Sequence, residues 1–280
     1  MRPLLLTAAG CCLALHAGEA VPLPLTLVTP ATPLGDQAGT ALIFASELEE
    51  GHGEIPFANA LGTLRVGKDA RGNVRLDADA DGAFTERDPA ADDGAVVRLP
   101  LRVSGREQVY TVRIQREDDH LTLLSQTVAE TEWEGLRLRF TDGDLDGRFG
   151  ETFSEEEDHD DTVTVLGADG GPTGPAQPLG PCTALGTLLV EVSTAEDGSP
   201  ILVRHAGPTG TVQLAALPEG QRVSCRLVET KGRLAVDLDA RAPTATVLPG
   251  SYQVLSVRLT IPRPVPPPGW RSEEHTSELQ

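Results

Sequence analysis

Alternation with a period of two residues is the feature that most limits how this chain can fold. Val97, Leu99, Leu101 and Val103 alternate with Arg98, Pro100 and Arg102. Tyr110, Val112 and Ile114 alternate with Thr111 and Arg113, and Leu136, Leu138 and Phe140 with Arg137 and Arg139. Further runs hold Leu188, Val190 and Val192, and then Val254 and Val257. In an extended strand successive side chains point to opposite faces, so such a run has one apolar and one polar face. Gly and Pro punctuate the runs, and after the first twenty residues no segment keeps a 3.6-residue period between caps. The expectation is an all-β chain built as two β-sandwich-like domains.

The two ends stand outside that pattern. Arg2 precedes an apolar stretch from Leu4 to Ala17 and then small residues. Residues 1–20 therefore read as a secretory signal peptide, cleaved after Ala17 or Ala20, and the stretch is too short for a convincing membrane span. A second reading makes it a lipoprotein signal with Cys11 as the lipidated residue. Either way the chain is expected to be secreted or periplasmic and not an integral membrane protein. The final residues, 271–280, RSEEHTSELQ, read as translated sequencing-library adapter, and the composition changes abruptly after Trp270. They are left out of fold reasoning. On that reading the gene fragment is cut short and its true C-terminus is unseen, with room for a further domain or a sorting signal.

Between the ends, residues 21–166 form a first β-rich domain and 182–263 a small β-sandwich of six or seven strands. The Gly/Pro-rich stretch 167–181, GADGGPTGPAQPLGP, reads as a linker, and 264–270 as a Pro-rich extended segment. The chain carries 42 acidic against 23 basic residues, a formal net charge of −19. That excludes the basic footprint of a nucleic-acid binder and favours divalent cations or basic partners. Lys68 and Lys231 are its lysines, a bias expected of a GC-rich bacterial gene. Cys182 and Cys225 remain after the signal, either paired, which the chain-entropy model values at about 4 kcal/mol, or as buried thiols.

The chemistry-bearing feature is a repeat in the first domain. Strand residues 73–76 run into Asp77, Asp79, Asp81, Gly82, Ala83 and Phe84, and Asp92-Asp93 precedes the next strand. Strand residues 136–140 run into Asp142, Asp144, Asp146, Gly147, Arg148 and Phe149, and Asp160-Asp161 precedes the strand TVTVL. Ca²⁺ takes six to eight oxygens at about 2.3–2.6 Å. Acids at positions 1, 3 and 5 of a tight turn converge on one point, Gly at position 6 allows the bend, and the carbonyl of position 7 adds a ligand. The candidate ligands are thus Asp77, Asp79, Asp81 and Ala83 in the first loop, with Asp88 at position 12 to close the shell. In the second they are Asp142, Asp144, Asp146 and Arg148. There position 12 is Phe153, so the closing acid comes from Glu151, Asp158 or Asp161, of which Asp161 is preferred because it aligns with Asp93.

Both loops resemble EF-hand loops, though strands flank them where an EF-hand has helices. The resemblance covers about twelve residues per loop and implies structural Ca²⁺ at the weak affinity of extracellular modules, about 10⁻⁴–10⁻³ M. The closing phrase Leu248-Pro249-Gly250-Ser251-Tyr252 is similar to the end of transthyretin-like and immunoglobulin-like bacterial modules. That likeness implies an Ig- or transthyretin-like second domain. No G-x-S-x-G, P-loop or H-E-x-x-H occurs, and His52, His120, His159 and His205 are scattered without ligand spacing. Trp133 and Trp270 suit core and tail better than a sugar-binding face. The expectation is a non-enzymatic, exported calcium-binding protein with a structural, adhesive or envelope-associated role, partnered by the cell envelope or a carbohydrate. The alternative is the accessory region of a truncated secreted hydrolase.

Overall fold

The computed structural model describes residues 20–31, 39–59, 61–152, 161–214 and 222–260. The signal segment up to residue 19 with Cys11, the acidic run holding Phe153, Asp158 and His159, the Pro-rich segment 264–270 and the adapter-like tail 271–280 lie outside the described residues. In chain order the first strands are β1 (Thr26–Val28), β2 (Thr40–Phe44), β3 (His52–Pro56), β4 (Thr63–Lys68), β5 (Val74–Leu76) and β6 (Val96–Val103). They continue with β7 (Arg106–Arg116), β8 (His120–Ser125), β9 (Val128–Trp133), β10 (Leu136–Thr141), β11 (Thr162–Leu166) and β12 (Gln177–Pro178). The rest are β13 (Cys182–Leu185), β14 (Leu188–Thr194), β15 (Pro200–Arg204), β16 (Gly210–Gln213), β17 (Arg222–Glu229), β18 (Ala235–Leu238), β19 (Thr244–Val247) and β20 (Tyr252–Thr260). A short helix, α1 (Ala45–Glu50), starts where the Glu47 carboxylate accepts the Phe44 N–H at 2.7 Å. Among the described residues no helix is long and apolar enough to cross a membrane.

The all-β expectation holds, with the strands shared among several separate antiparallel sheets. One runs β1-β9-β10-β11-β12, a second β2-β8-β7-β6 and a third β3-β4-β5. Strand β6 buries Val97, Leu99, Leu101 and Val103 and exposes every residue between them, as the period of two requires. Opposite faces meet in a core that includes Tyr110, Val112, Ile114, Leu138 and Phe140, each fully buried. Trp133 packs against its margin.

Among the described residues the second half holds eight strands, in sheets β13-β14-β15, β16-β19 and β18-β17-β20. Leu189, Leu234, Val236, Leu238, Val247 and Leu248 build its own core, which also takes in Cys182 and, at its edge, Cys225. Both cysteines are free thiols. At the end of the Leu248–Tyr252 phrase the Tyr252 hydroxyl donates to the Leu248 carbonyl at 2.7 Å and pins the turn that launches β20.

The stretch 167–181 differs from the expected linker. It turns through Gly170 at a φ of 79°, pairs β12 with β11, and buries Leu179 completely in the larger core. The Gln177 side chain donates to the Asp237 carbonyl at 2.8 Å and accepts the Asp237 N–H at 3.0 Å, closing the open edge of β18. Its Gly and Pro content supplies turns, and the backbone around them is hydrogen-bonded, so the segment is a folded joint. Leu185, Val190, Val192 and Leu202 also reach the larger core. Gln177→Ala would leave the Asp237 N–H and carbonyl without protein partners, a loss of about 1–3 kcal/mol. The urea midpoint should fall with the slope of the transition unchanged.

Candidate metal centre

The first acidic loop leaves β5 and the second leaves β10. The Asp77 N–H still bonds to the Arg65 carbonyl on β4, at 2.9 Å, so the first acid is held by the sheet itself. The two loops then make the same four hydrogen bonds. The fifth-position N–H of Asp81 donates to Asp77 Oδ1 at 3.2 Å and to Asp79 Oδ1 at 3.3 Å. Gly82 N–H donates to Asp77 Oδ2 at 3.0 Å, and Ala83 N–H to Asp81 Oδ1 at 2.8 Å. In the second loop Asp146 donates to Asp142 and Asp144, both at 3.2 Å, Gly147 to Asp142 at 2.9 Å, and Arg148 to Asp146 at 2.7 Å.

The backbones match as well. Position 4 has positive φ in both, 57° at Ala80 and 64° at Leu145, and position 6 has it again, 80° at Gly82 and 83° at Gly147. Glycine at position 6 adopts that conformation without steric cost, as the sequence implied. The positive φ at position 4 was not legible, because neither Ala nor Leu advertises it.

In each loop three carboxylates converge. One oxygen from each of Asp77, Asp79 and Asp81 lies within 4.8 Å of the others, and the same is true of Asp142, Asp144 and Asp146. Two oxygens on opposite sides of an ion with bonds of about 2.4 Å are at most about 4.8 Å apart, so the spacing suits coordination. A carboxylate oxygen that accepts one N–H keeps a lone pair for a ligand. Among the described residues, the cation paired with either triplet is Arg148, whose Nε lies 3.6 Å from Asp146 Oδ2 at the rim. Each triplet could hold a metal ion.

Their settings differ. Asp77 is buried while Asp79 and Asp81 are exposed. Phe84, the eighth-position anchor, lies across the backbone of Gly67, where a Cβ would come within 2.3 Å of the ring. The loop bridges β5 and β6, which belong to different sheets. The second loop instead joins β10 and β11, direct neighbours, and lies deeper. Asp142 and Asp146 are buried, as are Leu145 and Phe149. The Tyr110 hydroxyl donates to Asp142 Oδ2 at 2.7 Å and stands 2.9 Å from the Ser125 hydroxyl. The turn after β14 forms a wall: Gly198 accepts the Phe149 N–H at 3.2 Å, and Thr194 donates to the Gly150 carbonyl.

Of the two proposed closing acids, neither joins its converging triplet. Asp88 is buried, and its Oδ2 accepts the Thr85 N–H at 2.7 Å and hydroxyl at 3.0 Å, so it caps the turn that follows the first loop. Asp161 lies against the second loop and grips its two ends, accepting Gly143 N–H and Glu151 N–H, each at 2.9 Å. Asp93, its counterpart in the repeat, accepts the Arg116 N–H at the surface and has no such role.

Burial pushes the Asp142 carboxyl well above the ordinary carboxylate range, and the neighbouring Asp161 charge adds to it. Asp161 is raised well above its usual value, chiefly by burial. Asp146 is raised to about 7, by burial and then by Asp144. Asp77 is raised by burial, with smaller contributions from Asp81 and Asp79. Burial and the Asp142 charge together raise the Tyr110 hydroxyl. Full ionisation of the second loop therefore needs a compensating positive charge. Sequence reasoning missed Tyr110 and Ser125 as partners of this loop. Tyr110 was visible only as an inward residue of an alternating strand. Searches against protein-family models, curated proteins and solved structures find no match to this chain.

Proposed function

We propose that this is an exported, non-catalytic β-sandwich protein that uses two calcium ions as structural staples and serves an adhesive, scaffolding or envelope-associated role. The observation that carries the reading is the duplication: two loops with the same hydrogen bonds, the same positive-φ positions and the same converging carboxylates. Oxygen-only donors with alternating carboxylates favour a hard cation, and a flexible rim of exposed acids favours Ca²⁺ over the stricter octahedron of Mg²⁺. The groups shifted furthest upward, Asp142, Asp146, Asp161 and Tyr110, serve the second loop and its supports, which favours a structural over a catalytic role. The amino-terminal signal pattern supports export, where millimolar affinity is enough for occupancy.

Isothermal titration of the full chain with Ca²⁺ tests the metal assignment. The expected result is two binding events. Asp79→Asn should remove one and Asp144→Asn the other, both at exposed positions where the fold tolerates substitution. Heats that are flat up to millimolar Ca²⁺, or a stoichiometry indifferent to both substitutions, would overturn it.

A further inference from the structure

The sheet β18-β17-β20 carries positive charge on one face. Antiparallel register sets Arg222 opposite Thr260 and Ser224 opposite Arg258, so these four side chains share a face. Val223 and Cys225, opposite Leu259 and Val257, share the other. Arg222 and Arg258 are thus diagonal neighbours on paired strands, within about 7–8 Å at the backbone and closer at the ends of long side chains. They border a groove of about 480 Å³ with Ser224, Thr260, Asp239 and Arg241.

The charges do not cancel within the groove. Arg241 holds Asp239 through Nε at 2.9 Å and its terminal nitrogen at 2.8 Å, so that pair is neutral. Asp239 also accepts the N–H groups of Arg241 and Ala242, which occupies the carboxylate further. Asp237, next along this face, is engaged by Arg226 through two bonds of 2.8 Å. Among the described residues neither Arg222 nor Arg258 has an ion-pair partner. In a chain with 42 acidic residues and a net charge of −19, two guanidinium groups side by side without a carboxylate run against the general balance. Like charges at such spacing repel, and a bound anion relieves that repulsion.

We propose that this groove binds a phosphate or sulfate ester. The planar guanidinium fork donates two parallel hydrogen bonds to such an oxyanion, and two forks with the Ser224 and Thr260 hydroxyls cover its oxygens. The groove is larger than a single anion, which leaves room for the sugar- or glycerol-sized group that carries the ester. This site is independent of the calcium loops.

Titration calorimetry with inorganic sulfate, on the full chain in calcium and again in chelator, reads the site directly. Binding in the millimolar range is expected in both media, at least about tenfold weaker in the Arg222→Gln/Arg258→Gln double variant. Both residues are exposed, and the melting temperature of the variant should match the parent. A second arm sediments the protein with phosphatidylglycerol vesicles and with phosphatidylcholine vesicles. Sedimentation with the former, lost in the double variant, assigns the ester to a lipid headgroup. Sulfate binding without sedimentation assigns it to a soluble or glycan ester. Sulfate binding that is absent, or equal in the parent and the double variant, overturns the proposal.

Discussion

Adding calcium to the chelated protein should raise its melting temperature by roughly 10–20 °C. A ligand at about 100 times its dissociation constant stabilises the folded state by about 2.7 kcal/mol per site. Two sites contribute roughly twice that, and each kcal/mol shifts the midpoint of a domain of this size by about 2–4 °C. The gain depends on pH in a direction the buried acids set. In chelator, Asp142, Asp161, Asp146 and Asp77 have folded-state pKa values raised above the unfolded value of 3.8. Between that value and the raised ones, the folded chain binds more protons than the unfolded chain, so stability falls as pH rises. The chelated protein therefore melts higher at about pH 5 than at about pH 7.5. With calcium bound the carboxylates stay ionised, protons compete with the ion, and the order reverses. Scanning calorimetry at the two pH values, with and without chelator, reads all four states. A calcium increment that does not grow with pH would count against metal ligation by these acids.

Asp142→Ala separates the two loops. In chelator it strips the acceptor from the buried Gly147 N–H, while the Asp146 N–H keeps Asp144 and the Tyr110 hydroxyl turns to Ser125. The cost should be about 1–3 kcal/mol, since one buried donor loses its acceptor. In calcium the deficit should widen by the whole contribution of the second site, leaving that of the first intact. Asp79→Ala, at an exposed acid, should cost less than about 0.5 kcal/mol in chelator and remove the first site's contribution in calcium. Urea unfolding in the two media gives all the differences. An Asp142→Ala protein that keeps the full calcium increment would show that the second triplet does not bind.

Much of this was readable in the chain. Strand β6 alternates without a fault and is buried the same way, because nothing but a sheet satisfies that pattern. The converging triplets were readable because their geometry is local, set by five successive residues and a glycine. Val254 and Val257 lie three apart, an odd spacing for one face. The register slips between Arg226 and Leu227, so Val254 faces Leu227 while Val257 faces Cys225, and Leu255 is the extra residue of the bulge. The joint at 167–181 was misread because Gly and Pro mark a turn and a slack linker alike. Tertiary contacts tell them apart: Gln177 with Asp237, sixty residues away, and Leu179 buried in the larger core. Asp161 was placed near the second loop by analogy with Asp93, yet its location follows from β11 pairing directly with β10. Asp88 met the twelfth-position rule, and the structure sets it outside the converging triplet, accepting from Thr85, a local partner that spacing does not reveal.

The unequal depth of the two loops would set how fast ions bound there come and go. An ion among Asp77, Asp79 and Asp81 faces water on two of its three acids, so its departure waits only on bond breaking. An ion among Asp142, Asp144 and Asp146 would face water on one acid only, Asp144. Its residence time should be the longer, and a brief exposure to chelator should empty the first loop before the second.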